Sequence, residues 1–378
     1  MRRLAVLHVA GARPNFVKLA PLMRAMAKRD DLIEQRWAFT GQHFDHPMSR
    51  VFIEQLELPP PTCDLAVGPA PVEIQVARTV ERLAEMIRRL RPDWIFVLGD
   101  VTSSVAAAQA GAQMGVPVAH VEAGLRCFDG SMPEERNRVL IDQLSQQLFT
   151  PSADADDNLR QEGVERRRIH RVGNVMIDTL LALRSRAASA ISDLAERLDP
   201  RLAELALAEP TSPPFALVTV HRPHNVDEEE ALRPILAALR RISRRLPVVF
   251  PLHPRTRARL EQLGAAHDEL ARDVLVVPPL PYLEFVGLEQ RAALVLTDSG
   301  GVQEETTVLD VPCLTLRTST ERPVTIRLGT NRLVVPETDA IVEATHAALD
   351  DPPRCCQVPE GWDGHTAERI VEVLLGSV

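Results

Sequence analysis

The stretch LVLTDSGGVQEE, residues 294–305, decides the fold. An apolar run of four residues ends at Thr297. A polar residue and two glycines follow Asp298, and a helix-forming segment is expected from 301 to 309. A strand, a glycine turn and a helix in immediate succession are the unit from which parallel sheets are built. The helix N-terminus offers N–H groups that suit a phosphate or pyrophosphate, and the glycines let backbone approach it closely. Glu305 falls about one turn into the helix, where a carboxylate can accept hydrogen bonds from ribose hydroxyls. A tight turn with Ser299 as helix cap, and Glu304 and Glu305 near the favourable end of the dipole, is the purely structural alternative.

Working outward, similar apolar runs recur at 4–9, 37–40, 94–98, 117–121 and 147–150. A second series lies at 215–220, 248–252, 274–277, 294–297 and 313–316. They lack polar–apolar alternation, as strands buried on both faces do. Helical patterns at 15–29, 72–90, 102–114, 134–146, 228–245, 281–291 and 301–309 separate them. The expected fold class is therefore α/β, with two Rossmann-like, doubly wound domains. The division expected is 1–172, 173–362 and a C-terminal helix within 363–378. A possible strand at 169–172 and a helical, proline-ended connector at 187–212 flank the first boundary.

The chain has 378 residues, of which 45% are hydrophobic and 25% charged, ordinary values for a globular protein. A net charge of −9 and the lack of a long basic block argue against nucleic acid as a partner. No run approaches the roughly 18 apolar residues a membrane helix needs. The opening MRRLAVLHVAGARPNF is expected to form a first strand, not a signal peptide. Cys63, Cys127, Cys313, Cys355 and Cys356 are scattered and odd in number, which indicates neither a disulfide framework nor a zinc site. The expected location is the cytoplasm. Among 43 basic residues only Lys18 and Lys28 are lysine, so each is worth locating.

Ligands of open parallel sheets bind beyond the carboxyl ends of the strands. Candidates there are Arg13 and Lys18, Thr40-Gly41-Gln42-His43, Asp100 and Glu122. In the second half they are His221, His253 and 298–301. Asp100, Glu122 and Glu134 could act as general acid and base if their surroundings separate their proton affinities. The alternatives are an N-cap role for Asp100 and a first-turn helix position for Glu134. His221, followed by Arg222-Pro223, is a strand-end histidine suited either to structure or to catalysis. Arg13 and Arg322 suit bidentate pairing with phosphate oxygens. Neither a G-x-G-x-x-G after the first strand nor a GxxxxGK[ST] occurs, which disfavours dinucleotide cofactors and P-loop triphosphates.

The set GARPNFVK, TGQHFD, GDVTSS, HVEAGLR, MPEERNR, TVHRP, LTDSGGVQEE and TERPVT resembles the non-hydrolysing UDP-N-acetylglucosamine 2-epimerase family, in order, from about residue 5 to 335. The resemblance implies a glycosyltransferase-B-like fold with the active site between the two domains and a last helix crossing back to the first. It implies Asp100, Glu122, Glu134 and His221 as catalytic groups. It further implies Arg13 and Lys18 near the diphosphate, Ser299, Gly300 and Gly301 around phosphate, Glu305 on the ribose, and Arg322 and Phe285 against the nucleotide. The implied reaction is inversion at C2 of a UDP-2-acetamido sugar, UDP-N-acetylglucosamine to UDP-N-acetylmannosamine, through elimination of UDP and its return. It needs no cofactor or metal, and a homodimer is implied. Alternatives of the same fold are a hydrolysing 2-epimerase and a glycosyltransferase. Better-known bacterial members carry HRRE where this chain has His221-Arg-Pro-His224, and relatives acting on UDP-2,3-diacetamido-glucuronic acid share its GARP, TGQHFD and SMPEE segments.

Overall fold

The structure, a computed structural model, describes residues 2–41, 46–197, 200–207, 215–352 and 357–376. Gln42, His43, Cys355, Cys356 and part of the 187–212 connector lie outside the described residues. The chain divides into two compact units, Met1–Leu181 with Glu360–Val378, and Ala182–Pro359.

Unit 1 holds β1 (Leu4–Ala10), β2 (Ile33–Phe39), β3 (Cys63–Asp64), β4 (Trp94–Leu98), β5 (Val118–Val121), β6 (Gln147–Thr150) and β7 (Ile169–Arg171). They form one sheet in the order β3-β2-β1-β4-β5-β6-β7, every neighbouring pair parallel. The order runs outward from β1 in both directions, so the connections after β1 and β4 leave on opposite sides of a switch point. The last described helix, Thr366–Gly376, packs in this unit against helix Arg13–Ala27 through Ala367, Ile370, Val371 and Leu374. Asp178 caps it, its two oxygens accepting the N–H groups of Thr366 at 3.1 Å and Ala367 at 2.7 Å. Lys28 ends on its surface, paired with Glu368 at 2.7 Å.

Unit 2 holds β8 (Ala216–Thr219), β9 (Val248–Pro251), β10 (Leu275–Val277), β11 (Leu294–Thr297), β12 (Cys313–Thr315) and β13 (Asn331–Leu333). Their order is β10-β9-β8-β11-β12-β13, again all parallel. Both faces are covered. Ala216, Val218, Phe250, Leu294 and Leu296 pack into one apolar cluster, while Leu217, Val249 and Val295 enter another. That two-residue alternation between two apolar layers is why the strands read as continuous apolar runs. Helix Glu229–Ile242 closes the first layer with Leu232, Ile235, Leu236, Leu239 and Ile242, spaced for one helical face.

Two expectations shift. The second strand begins at Ile33, not 37, because Ile33 pairs with Leu4 at the far end of β1. The first helix starts at Arg13 with Pro14 in its first turn, where the missing N–H costs nothing.

Candidate active site

In unit 1 the loops after β1, β4 and β5 leave one end of the parallel sheet. Asn15 ties two of them together. Its Oδ1 accepts the N–H groups of Gly11 and Ala12, each at 3.0 Å, and its Nδ2 donates to the Leu98 carbonyl at 2.7 Å. One turn further along that helix, Lys18 is buried and its ammonium pairs with the buried Glu122 carboxylate. Gly99 leaves the room for this pair: a Cβ there would lie 2.6 Å from Lys18 Nζ and 2.9 Å from Glu122 Oε2. Glu122 itself has φ 75°, a left-handed backbone that costs a non-glycine residue on the order of 1–3 kcal/mol. Strain of that size at a strand end, on a buried charged residue, is typical of functional positions.

Asp100 follows β4, the strand next to β5. It does not cap the following helix, whose N-cap is Val101. Its Oδ2 instead receives Arg138 Nε at 3.1 Å and Nη2 at 2.6 Å, while Asn137 Nδ2 donates to its carbonyl at 2.8 Å. Buried Arg138 also reaches Glu135 Oε2 at 2.7 Å, and Glu135 accepts the N–H groups of Cys127 and Phe128. Helix Pro133–Leu144 thereby grips both the β4 end and the loop after β5. Glu134 sits half-buried in its first turn, where a negative charge favours the helix dipole. Beneath, His120 joins the two loops: Nδ1 lies 2.6 Å from Asp142 Oδ1 and Nε2 3.2 Å from the Gly99 carbonyl. Asp142 also accepts the Gly124 N–H at 3.2 Å and pairs with Arg126 at 2.7 Å. The Arg13 guanidinium stands 5.7 Å from the centre of the Phe52 ring, a cation–π distance.

In unit 2, β8 and β11 are neighbours, and the residues following them are joined by Asp298. This fully buried carboxylate accepts the backbone N–H of His221 at 3.0 Å and of Arg222 at 2.8 Å, and the Asn225 Nδ2 at 3.0 Å. His221 Nδ1 lies 3.1 Å from Asp298 Oδ1. Burial pushes the Asp298 carboxyl up, but these bonds, His221 foremost, outweigh it and hold it at about 2. The His253 ring lies 5.0 Å from that of His221, and its Nδ1 accepts the Arg255 N–H at 3.2 Å.

Ser299 is the N-cap of helix Gly300–Leu309, yet its side chain makes no capping bond; its N–H is taken by Thr297 Oγ1 at 3.0 Å. The amides of Gly300, Gly301 and Val302 come first in the helix and have no intrahelical acceptor. Arg322 packs onto this turn, with a Cβ on Gly300 coming within 2.7 Å of its Cζ. Glu304 holds Arg322 Nε at 2.7 Å, and Glu321 pairs with its Nη1. Glu305, one residue on, is buried and accepts the Tyr282 hydroxyl at 2.8 Å. Burial raises its carboxyl to about 7, the Tyr282 bond works against that, and the Glu304 charge adds to it. Glu289, also buried, has no hydrogen-bond partner for either oxygen among the described residues. Burial, together with the charge of Glu305, pushes it well above the usual carboxylate range. Phe285 is on the same helix as Tyr282 but packs partly buried against the apolar layer.

Of the residues read from the sequence, the structure brings Lys18 and Glu122 into direct contact, sets Asp100 against Arg138 and Gly300 against Arg322, and leaves Glu134 in the first turn of the helix that carries Arg138. The sequence reading assigns no role to Arg138 or Tyr282 and no partner to Asp298, and it takes Glu304 only as a charge suited to the helix dipole, where the structure has it holding Arg322. Arg138 carries a signal in the Glu135-to-Arg138 helical spacing of PEERNR; the others depend on neighbours distant in sequence. Among the described residues no three histidine, cysteine, aspartate or glutamate side chains could hold a metal ion, and no helix is long and apolar enough to cross a membrane.

The family model described as UDP-N-acetylglucosamine 2-epimerase matches residues 25–375. The chain belongs to the UDP-N-acetylglucosamine 2-epimerase family. It is an epimerase with the two parallel-sheet architecture of that family. The UDP-N-acetylglucosamine 2-epimerase of Methanocaldococcus jannaschii is 37% identical over 371 residues, 97% of each chain. The UDP-2,3-diacetamido-2,3-dideoxy-D-glucuronate 2-epimerase of Pseudomonas aeruginosa is 40% identical over 349 residues, 92% of each. The crystal structure of the M. jannaschii enzyme in complex with UDP-GlcNAc and UDP superposes with a TM-score of 0.86 at 35% identity, covering 99% of this chain and 100% of that one.

Proposed function

We propose that this epimerase inverts C2 of a UDP-2-acetamido sugar, interconverting UDP-N-acetylglucosamine and UDP-N-acetylmannosamine without releasing UDP. The observation that carries the reading is the pair Asp100 and Glu122. They follow adjacent parallel strands, one held by an arginine and the other by a lysine. Epimerisation by elimination needs two proton-transfer groups in different surroundings, one for each face of the sugar.

The C2 hydrogen is not next to a carbonyl, so direct removal is too costly. In the proposed route the C1–O bond breaks first and UDP keeps the electron pair. The anomeric carbon becomes oxocarbenium-like, which acidifies C2–H. A carboxylate from the set Asp100, Glu122 and Glu134 removes that proton and a 2-acetamidoglucal forms. A second group of the set returns a proton to the opposite face of C2, and UDP re-adds at C1. No net oxidation occurs, so no nicotinamide is called for. The departing charge is met by the Gly300 and Gly301 amides with Ser299, and by Arg322, Arg13 and Lys18; preorganised donors of this kind supply much of a rate enhancement. Glu305 accepts the ribose hydroxyls, Phe285 contacts the nucleotide, and His221 joins the carboxylates as a catalytic proton-transfer group. The same reading has the protein as a cytoplasmic homodimer.

A UDP-2,3-diacetamido-glucuronate substrate is the second reading, favoured by the 40% identity to a relative so named and by the GARP, TGQHFD and SMPEE segments. Proton NMR of the chain with each UDP-sugar tests both. The account expects the anomeric signals of a new UDP-linked epimer to grow from one of them. Accumulation of free UDP and free sugar would make the enzyme hydrolysing, and turnover only with an added acceptor would make it a transferase.

A further inference from the structure

Asp298 is spent on His221 more fully than a turn requires. One carboxylate, wholly buried, takes the backbone N–H of His221, the next N–H in the chain and the Asn225 side chain, and still faces the His221 ring. Its own backbone N–H bonds to the Thr219 carbonyl at 3.3 Å, which locks the β11 end to the β8 end. The backbone bonds alone would fix the turn. The ring contact does something else. An ionised carboxylate can only accept, so the nitrogen facing it must carry a proton.

We propose that Asp298 is a positioning residue that keeps the His221 proton on Nδ1 and leaves the lone pair of Nε2 facing the substrate as a proton acceptor. The inference rests on the catalytic reading of His221 given above and adds the group that orients it. Side-chain exposure runs the right way: Asp298 is fully buried, whereas the His221 side chain is 30% exposed, so one face of the ring is anchored and the other is open. The adjacent His253 ring limits rotation from the side, and its own Nδ1 is occupied by the Arg255 N–H. A carboxylate behind a histidine fixes which nitrogen is available in hydrolytic triads, and replacing that carboxylate by an amide inverts the tautomer. An asparagine at 298 can still accept the backbone N–H bonds through Oδ1 while offering its NH2 to the ring, which then holds its proton on Nε2.

The test combines NMR and kinetics on the full chain. Long-range nitrogen–proton correlation of 15N-histidine protein, recorded where the His221 ring is neutral and assigned by loss of the signal in His221→Gln, reads the tautomer. The wild type should show Nδ1–H and Asp298→Asn should show Nε2–H; Nε2–H in the wild type overturns the proposal, whether or not any variant folds. In kinetics, Asp298→Asn should lower kcat by about 100-fold or more with KM and UDP affinity changed by less than about threefold. In the His221→Gln background the same substitution should cost almost nothing further. Additive losses would reduce Asp298 to a structural anchor. Wild-type kcat in His221→Gln would instead overturn the catalytic reading of His221, leaving the tautomer to decide the Asp298 assignment. Asn225→Ala, which removes one partner of Asp298 but not the ring contact, should keep kcat within a few-fold.

Discussion

Replacing Glu289 by methionine should stabilise unit 2, and by an amount that grows with pH. The side chain is buried on helix Tyr282–Glu289, neither oxygen has a hydrogen-bond partner among the described residues, and Glu305 adds a second carboxyl nearby. Burial therefore keeps Glu289 protonated in the folded chain well above 4.5, its ordinary value, where the unfolded chain releases the proton. The folded state then binds more protons than the unfolded one, so stability falls as pH rises from the ordinary value towards the raised one. Each pH unit inside that window is worth about 1.4 kcal/mol, so the cost of holding the acid neutral grows as pH rises above the ordinary carboxylate value. A neutral but unsatisfied buried carboxyl adds about 1–3 kcal/mol throughout that window. Methionine matches the unbranched shape and has nothing to ionise. Urea unfolding of both proteins at pH 5, 6 and 7 measures the difference. Far-UV circular dichroism is the right probe, because Trp37, Trp94 and Trp362 all belong to unit 1 and their emission misses unit 2. The account expects Glu289→Met to be the more stable at every pH, with the gap widening from pH 5 to pH 7 by at most about 1.4 kcal/mol for each pH unit. A gap that does not change with pH, or a less stable variant, would refute the reasoning.

Glu122→Gln should abolish turnover, as should Asp100→Asn, with UDP affinity held within about tenfold by equilibrium binding. The Glu122 change also leaves the Lys18 ammonium buried without its partner, a loss of about 3 kcal/mol in unfolding that Lys18→Met in the same chain should largely restore. Lys18→Arg should cut kcat/KM at least about tenfold, because the planar guanidinium has no room against Gly99 and cannot reproduce a point charge on Glu122; wild-type kinetics would return Lys18 to an ordinary basic residue. Gly300→Ala forces a methyl group to within 2.7 Å of Arg322 Cζ and 2.9 Å of Glu321 Oε1, and should weaken UDP binding about tenfold or more by calorimetry.

Much of this was legible in the residues themselves. Strands such as Leu294–Thr297 and Trp94–Leu98 announce themselves because each is buried on two faces, and the glycines after 298 mark where a helix must start beside a close approach. Cys63–Asp64 and Asn331–Leu333 did not, since two or three residues at a sheet edge carry no periodicity. Helix Ala153–Gln161, with sequence ADADDNLRQ, buries only Ala155, Asp156 and Leu159, too thin a stripe to be seen. Helix Thr338–Asp350 did carry a signal in Ile341, Val342, Thr345 and Ala348 that went unread. At the site, strand-end position pointed to Asp100, Glu122 and His221. What surrounds them was hidden for a physical reason: Arg138, Asp298 and Glu304 act on groups 38, 77 and 18 positions away, and only the closed sheets bring them into reach.

The central claim is that C2 loses and regains its proton while UDP is off the sugar and still held. Running the reaction in heavy water with UDP-N-acetylglucosamine, and with its 2,3-diacetamido-glucuronate counterpart, and following C2 by NMR and mass spectrometry, tests it most directly. The account predicts one deuterium at C2 of the UDP-linked epimer, and label entering recovered substrate as the equilibrium is approached. An epimer carrying hydrogen alone at C2 would contradict it.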